Sequence, residues 1–187
     1  MKQLLVTLTM LAAGVVASAA NAEKMAPRLE EAEKLVGLVK PHEQEAQAIR
    51  FMIAVAPIDM PAGLADCTVK DAMPAMRSYF ASQVMANLSE IEVQQAIEFF
   101  QSPAGQAVVA FRLRHEQALL DAATRKEQVA DEQVHYPAPL QKELEAFGST
   151  PAGKFFVGDE LLAREEIRGR ISDLRSEAMA KCLAAAK

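Results

Sequence analysis

Few residues in this chain have the type and spacing that chemistry needs. His42-Glu43 and His115-Glu116 each begin like a zinc-protease helix, but both lack the second histidine of H-E-x-x-H. Ser102 and Thr150 carry hydroxyls, yet neither sits in a G-x-S-x-G elbow and no histidine lies near either in sequence. Met52, Met60, Met73, Met76 and Met85 offer thioethers suited to Cu(I). Met73 and Met76, however, share a helical stripe with Phe80 and Val84, where methionine is an ordinary gap-filler. Arg164 and Arg168 could hold an anion, but Glu160, Glu165, Glu166, Arg170 and Asp173 interleave with them at i,i+3 and i,i+4, the pattern of a solvated face. His115 shares a face with Phe111 and Leu119 and reads as a buried or half-buried histidine holding a carbonyl. The sequence therefore offers no catalytic residue, no metal set and no cofactor motif.

Cys67 and Cys182 are the two cysteines. An even pair in an exported chain reads as a disulfide more readily than as two separately buried thiols, the alternative that the sequence leaves open. Cys182 continues the stripe Ile171, Leu174, Ala178, which turns its sulfur to the core. No C-x-x-C spacing supports a redox-active pair.

Export is read from residues 1–22. Lys2 is a positive n-region, Leu4 to Val16 is a short apolar core, and Ala20-Asn21-Ala22 is a small-residue cleavage site, so the mature chain should begin at Glu23 in the periplasm or beyond the cell. The apolar run is too short to span a membrane, which takes about 20 residues, and no membrane span is expected after cleavage. The full chain has 20 Lys+Arg against 25 Asp+Glu. Removing the leader removes Lys2 and no acid, so the acidic excess grows, which argues against a nucleic-acid partner.

The elements that would position these residues are helical. The chain is about half apolar, has no tryptophan, few aromatics and abundant alanine, and shows no alternating β-branched run. Its 187 residues suit a signal peptide over 1–22 and one all-helical domain over 23–187. The motif F-x-x-[ST]-P-A-G occurs twice, as Phe99 to Gly105 and as Phe147 to Gly153. In each copy Ser102 or Thr150 caps a helix, Pro103 or Pro151 takes its first position, and Gly105 or Gly153 permits close backbone approach. This predicts two helix-turn-helix hairpins, copies at about 89–128 and 139–186, behind N-terminal helices.

Further expectations follow along the chain. One helix should contain Leu29, Ala32, Val36 and Val39 and stop at Pro41. A second should run from His42 to Val55 with Ala46, Ile49, Met52 and Ile53 inward, followed by a Pro/Gly loop over residues 57–63. Asp71 should cap the next helix, with Pro74 in its first turn, and Ser89 with Glu92 should form a capping box. A long helix from Pro103 to about Gln128 should bury Val108, Phe111, Leu119 and Ala122, and residues 134–139 should break it. The second copy should give a short helix over Leu140 to Phe147 and a long one from Pro151 to near Ala185, with Leu161 matching Leu113 and Ile167 matching Leu119.

The stretch Leu88 to Gln106, LSEIEVQQAIEFFQSPAGQ, resembles the signature of the bacterial domain-of-unknown-function family 2059, whose members pair an acidic helix with an aromatic-x-S-P-x-G-[QK] turn. Beyond it the chain reads Ala107-Val108-Val109-Ala110 where family members tend to be lysine-rich. The resemblance implies a small helical domain behind a signal peptide, with no established activity and no site residue to carry over. Two functions are then expected in order: a non-enzymatic interaction or envelope-associated factor that contacts another envelope protein, and a carrier of a small apolar ligand between helices. An enzyme of unrecognised type comes third.

Overall fold

The computed structural model describes residues 28–125, 127, 136–157 and 160–186. The leader, its cleavage point after Ala22, the predicted helix end at Gln128, and Val134 and His135 of the predicted break lie outside these residues.

Among the described residues the chain is all-helical, one domain without strands. The helices are α1 (Leu29–Val39), α2 (Pro41–Ala54), α3 (Leu64–Asn87), α4 (Glu90–Gln101), α5 (Pro103–Thr124), α6 (Ala138–Gly148), α7 (Pro151–Phe156), α8 (Glu160–Ala163) and α9 (Glu165–Ala185). The central rod is α3. It packs against α1 and α2 on one side and most extensively against α9 on the other, while α4 and α5 form a hairpin laid on α1 and α2. Leu35, Ile49, Met76, Phe80, Ile167 and Ile171 are the large side chains at the heart of the core.

Local signals set most boundaries. Lys40 takes a left-handed conformation (φ 58°) and closes α1 through its N–H to the Val36 carbonyl, and Pro41 opens α2 directly. The Ser89–Glu92 capping box forms in both directions, with the Glu92 carboxylate 2.7 Å from the Ser89 N–H. Ser102 Oγ accepts from the Gly105 N–H at 3.2 Å and Thr150 Oγ1 from the Gly153 N–H at 3.0 Å, so both predicted caps form. At both glycines an added Cβ would overlap the carbonyl oxygen that ends the motif's own aromatic residue, Phe99 or Phe147. The two leading rings stack on each other, centroids 3.9 Å apart and planes 7° from parallel.

Several expectations need correction. Asp71 does not cap α3: the helix starts after Gly63, which supplies the positive φ (77°), and Asp71 lies two turns in, paired with Lys181 of α9. Pro74 is therefore internal to α3 rather than in its first turn. It removes the bond to the Lys70 carbonyl but lies on the solvent face, and packing of α3 on three neighbours offsets that loss. Met52 is exposed and Ile53 only partly buried, because the inward face of α2 is Ala46 and Ile49. Leu29 is exposed as well. Of the methionines, Met76 is fully buried, and Met73 and Met85 pack against the core.

The long C-terminal helix is three helices, not one. α7 ends at Phe156, and Arg164, in extended conformation, starts α9. Val157, whose N–H reaches the Gly153 carbonyl, is the C-cap that closes α7. The two copies consequently share their turn but not their continuation. Ile167 is fully buried on α9, whereas Leu119, its counterpart on α5, is half-buried.

The disulfide forms: Cys67 of α3 bonds Cys182 of α9 with Cα atoms 5.9 Å apart. Cys182 is buried at the end of its stripe, while Cys67 is exposed.

Candidate functional site: a cavity between α2 and α5

Helix α5 outruns its hairpin partner. It has 22 residues against 12 in α4, so its C-terminal half lacks α4 as cover and Phe111, Leu119 and Ala122 are half-buried instead of buried. Tyr136 covers one side, its ring 5.0 Å from that of Phe111. On the other side α5 faces α2, and between them lies a cavity of about 500 Å³. A volume of this size suits a small organic molecule, for which sites run from about 300 to 1,000 Å³.

Its walls are mainly apolar. Phe51, Met52 and Ala48 of α2 and Leu119 of α5 form the sides, with Val39 and Pro41 beside them, and Phe80, Phe155, Phe156 and Leu161 form the floor. The aromatic floor is held rigidly: Phe156 meets Phe155 and Phe100 edge to face, with centroids 4.9 and 5.8 Å apart.

The polar residues gather on the facing surfaces of the two helices. α2 contributes Gln44, Glu45 and Gln47, and α5 contributes Arg112, His115 and Glu116. The Gln44 amide, turned so that its oxygen faces the guanidinium, accepts from Arg112 Nε at 3.2 Å and Nη1 at 3.3 Å. Glu45 meets Arg175 of α9 at 3.7 Å, too long for a hydrogen bond, and Arg175 Nη1 also reaches Met52 Sδ at 3.5 Å. Glu45 Oε2, Gln47 Oε1 and Glu116 Oε2 are buried without a hydrogen-bond partner among the described residues.

Burial governs the electrostatics. It pushes the Glu116 carboxyl up to about 7, with Arg112 opposing and Glu45 adding to the rise. Burial also raises Glu45, against the pull of Arg175. Near neutral pH a large fraction of Glu116 is therefore uncharged. None of the lining residues is a serine, threonine, cysteine, lysine or tyrosine. The arrangement can take an apolar body and meet a polar group from α2 and α5.

The residues singled out from sequence fare unevenly. His115 lines this cavity half-buried, but it has no carbonyl partner among the described residues. Ser102, Thr150, Pro103, Pro151, Gly105 and Gly153 are parts of two helix starts. Arg164 donates to Asn87 Oδ1 and does not converge with the exposed Arg168. Arg170 pairs with Glu177 across seven residues at 3.2 Å. No group of three or more metal-ligating side chains occurs among the described residues, and none of their helices is long and apolar enough to cross a membrane.

Gln44, Glu45, Gln47 and Arg112 were not singled out from the sequence. The available signal was a polar set, Arg112, His115 and Glu116, on the same face of α5 as Leu119. Comparison with family models, curated proteins and solved structures gives no match.

Proposed function

We propose that the protein is a non-enzymatic carrier of a small, largely apolar ligand held between α2 and α5, working in the periplasm or outside the cell. The observation that carries this reading is the cavity: about 500 Å³, a mainly apolar lining with an apolar floor, and one set of polar side chains on the facing surfaces of α2 and α5. The compartment is supported by the leader pattern of residues 1–22, by the Cys67–Cys182 disulfide and by the resemblance of residues 88–106 to an exported family.

A second reading, contact with another envelope protein, is favoured by one observation. Val55 and Ile58, on the segment that joins α2 to α3, are large apolar side chains left exposed. Native mass spectrometry of the chain expressed with its own leader and recovered from periplasm separates the two. A stoichiometric added mass of a small molecule is the expected result, and N-terminal sequencing of the same sample should begin at Glu23. A bare chain mass, with co-purification of another envelope protein through Val55 and Ile58, would replace the carrier by the contact factor.

A further inference from the structure

The polar set of the cavity selects a head group. Arg112 is the cation that lines it, half-buried beside apolar walls. The Gln44 amide oxygen accepts from Nε and Nη1 and leaves Nη2 without a partner in that contact. No carboxylate makes an ion pair with Arg112 among the described residues. A half-buried guanidinium held in place by a neutral amide has unspent capacity for an anion.

We propose that the carried ligand is an amphiphilic monocarboxylate, its apolar tail against Phe51, Phe155 and Phe156 and its carboxylate on Nη2 of Arg112. This rests on the carrier reading. A cationic head fits less well, because Glu45 already faces Arg175 and burial favours the uncharged form of both Glu45 and Glu116.

The same groups make binding depend on pH. The charged and titratable groups that face the head position are Arg112, His115 and Glu116 from α5, Glu45 from α2, and Arg175 of α9 behind Glu45. The wall from α3, α7 and α8 presents only apolar side chains, Phe80, Phe155, Phe156 and Leu161. As pH rises through about 7, Glu116 ionises one helical turn from Arg112, competes for its charge and repels a carboxylate. Uptake is therefore favoured on the acidic side of neutrality and release on the alkaline side.

The test is calorimetric titration of the delipidated full chain with dodecanoate, dodecylammonium and dodecanol, which share one tail. At about pH 6, dodecanoate should bind about tenfold or more tightly than dodecylammonium, since a charge-assisted hydrogen bond contributes enough for that ratio. At about pH 8 dodecanoate affinity should fall several-fold while dodecanol affinity holds, and Glu116→Gln should remove most of this pH dependence. Arg112→Gln should remove the preference for dodecanoate but keep dodecanol binding, and Arg112→Lys should retain part of the preference, with circular dichroism confirming that each variant is folded. Dodecylammonium or dodecanol binding as tightly as dodecanoate would overturn the head-group assignment and leave the carrier standing. Failure of all three to bind would overturn the carrier, and the assignment with it.

Discussion

Phe99 and Phe147 stack face to face, centroids 3.9 Å apart, although 48 positions separate them in sequence. They are the leading residues of the two copies of F-x-x-[ST]-P-A-G, so a motif repeated along the chain is also paired in space. Phe100 meets Phe147 edge to face at 5.4 Å and extends the contact toward Phe156 and the floor of the cavity. Aromatic pairs of this kind contribute about 0.5–1.5 kcal/mol beyond the area they bury. Phe99→Leu and Phe147→Leu should therefore show a coupling of that order in a double-mutant cycle read by urea unfolding. Strictly additive losses would mean the stack is incidental to the pairing of the turns.

The glycines of the motif should be less replaceable than its caps. Ser102→Ala and Thr150→Ala should each cost about 1 kcal/mol. Gly105→Ala and Gly153→Ala bring a methyl onto the Phe99 and Phe147 carbonyl oxygens, which are backbone atoms that cannot rotate aside. Overpacking of this kind costs about 1–3 kcal/mol, and at these positions the upper half of that range is expected. Thermal unfolding of the four single variants checks the ranking.

Reduction should weaken the fold substantially. The Cys67–Cys182 bond closes a separation of 115 residues, and a loop of that order contributes about 5 kcal/mol in the chain-entropy account. Cys67→Ser is the cleaner variant, because Cys67 is exposed and its loss leaves no cavity, whereas Cys182 is buried. Under oxidising conditions Cys67→Ser should melt several degrees below the unsubstituted protein, and with reductant the two should coincide. Equal melting in both buffers would count against a stabilising bridge.

Stability should fall as the solution is made alkaline across neutrality. Glu116 titrates near its ordinary value of 4.5 when unfolded and at about 7 when folded. Between these values the native state binds more protons than the unfolded chain, so its contribution is complete below about 4.5 and is lost as pH rises through about 7. Glu45, also raised by burial, acts with the same sign. His42 opposes it: burial lowers its value from 6.5, which favours the native state as pH rises toward that figure. Glu116→Gln should flatten the decline seen in urea midpoints measured from about pH 5 to about pH 8. An unchanged profile would remove Glu116 as its source.

The helix starts were legible because capping is local. Ser89 with Glu92, and Ser102 and Thr150 each followed by proline, carry their instruction within four residues. Asp71 misled because it stands before Pro74, a sequence that imitates a helix start, while the real start at Gly63 depends on a left-handed backbone conformation. The stripe on α9 gave the buried face of Cys182 directly. The cavity was not legible, because it lies between α2 and α5, which meet only in the folded chain. Met52 and Leu119 were expected to face the core. They line the cavity instead, and no periodicity distinguishes an apolar wall from an apolar interior.

The bond between Cys67 and Cys182 divides the molecule into a covalently closed ring and a tail. Helices α4 to α8 lie wholly inside the ring, while α1, α2 and the linker at residues 55–63 lie outside it. The two long walls of the cavity thus belong to different parts: α5 to the ring, α2 to the tail. A cut in the linker would detach α1 and α2 from every covalent tie, whereas a cut after Arg125 would leave both halves joined through sulfur. The face that α2 presents to α5 is therefore held to the ring by the chain at residues 55–63 and by packing on α3 and α5, with no covalent tie of its own.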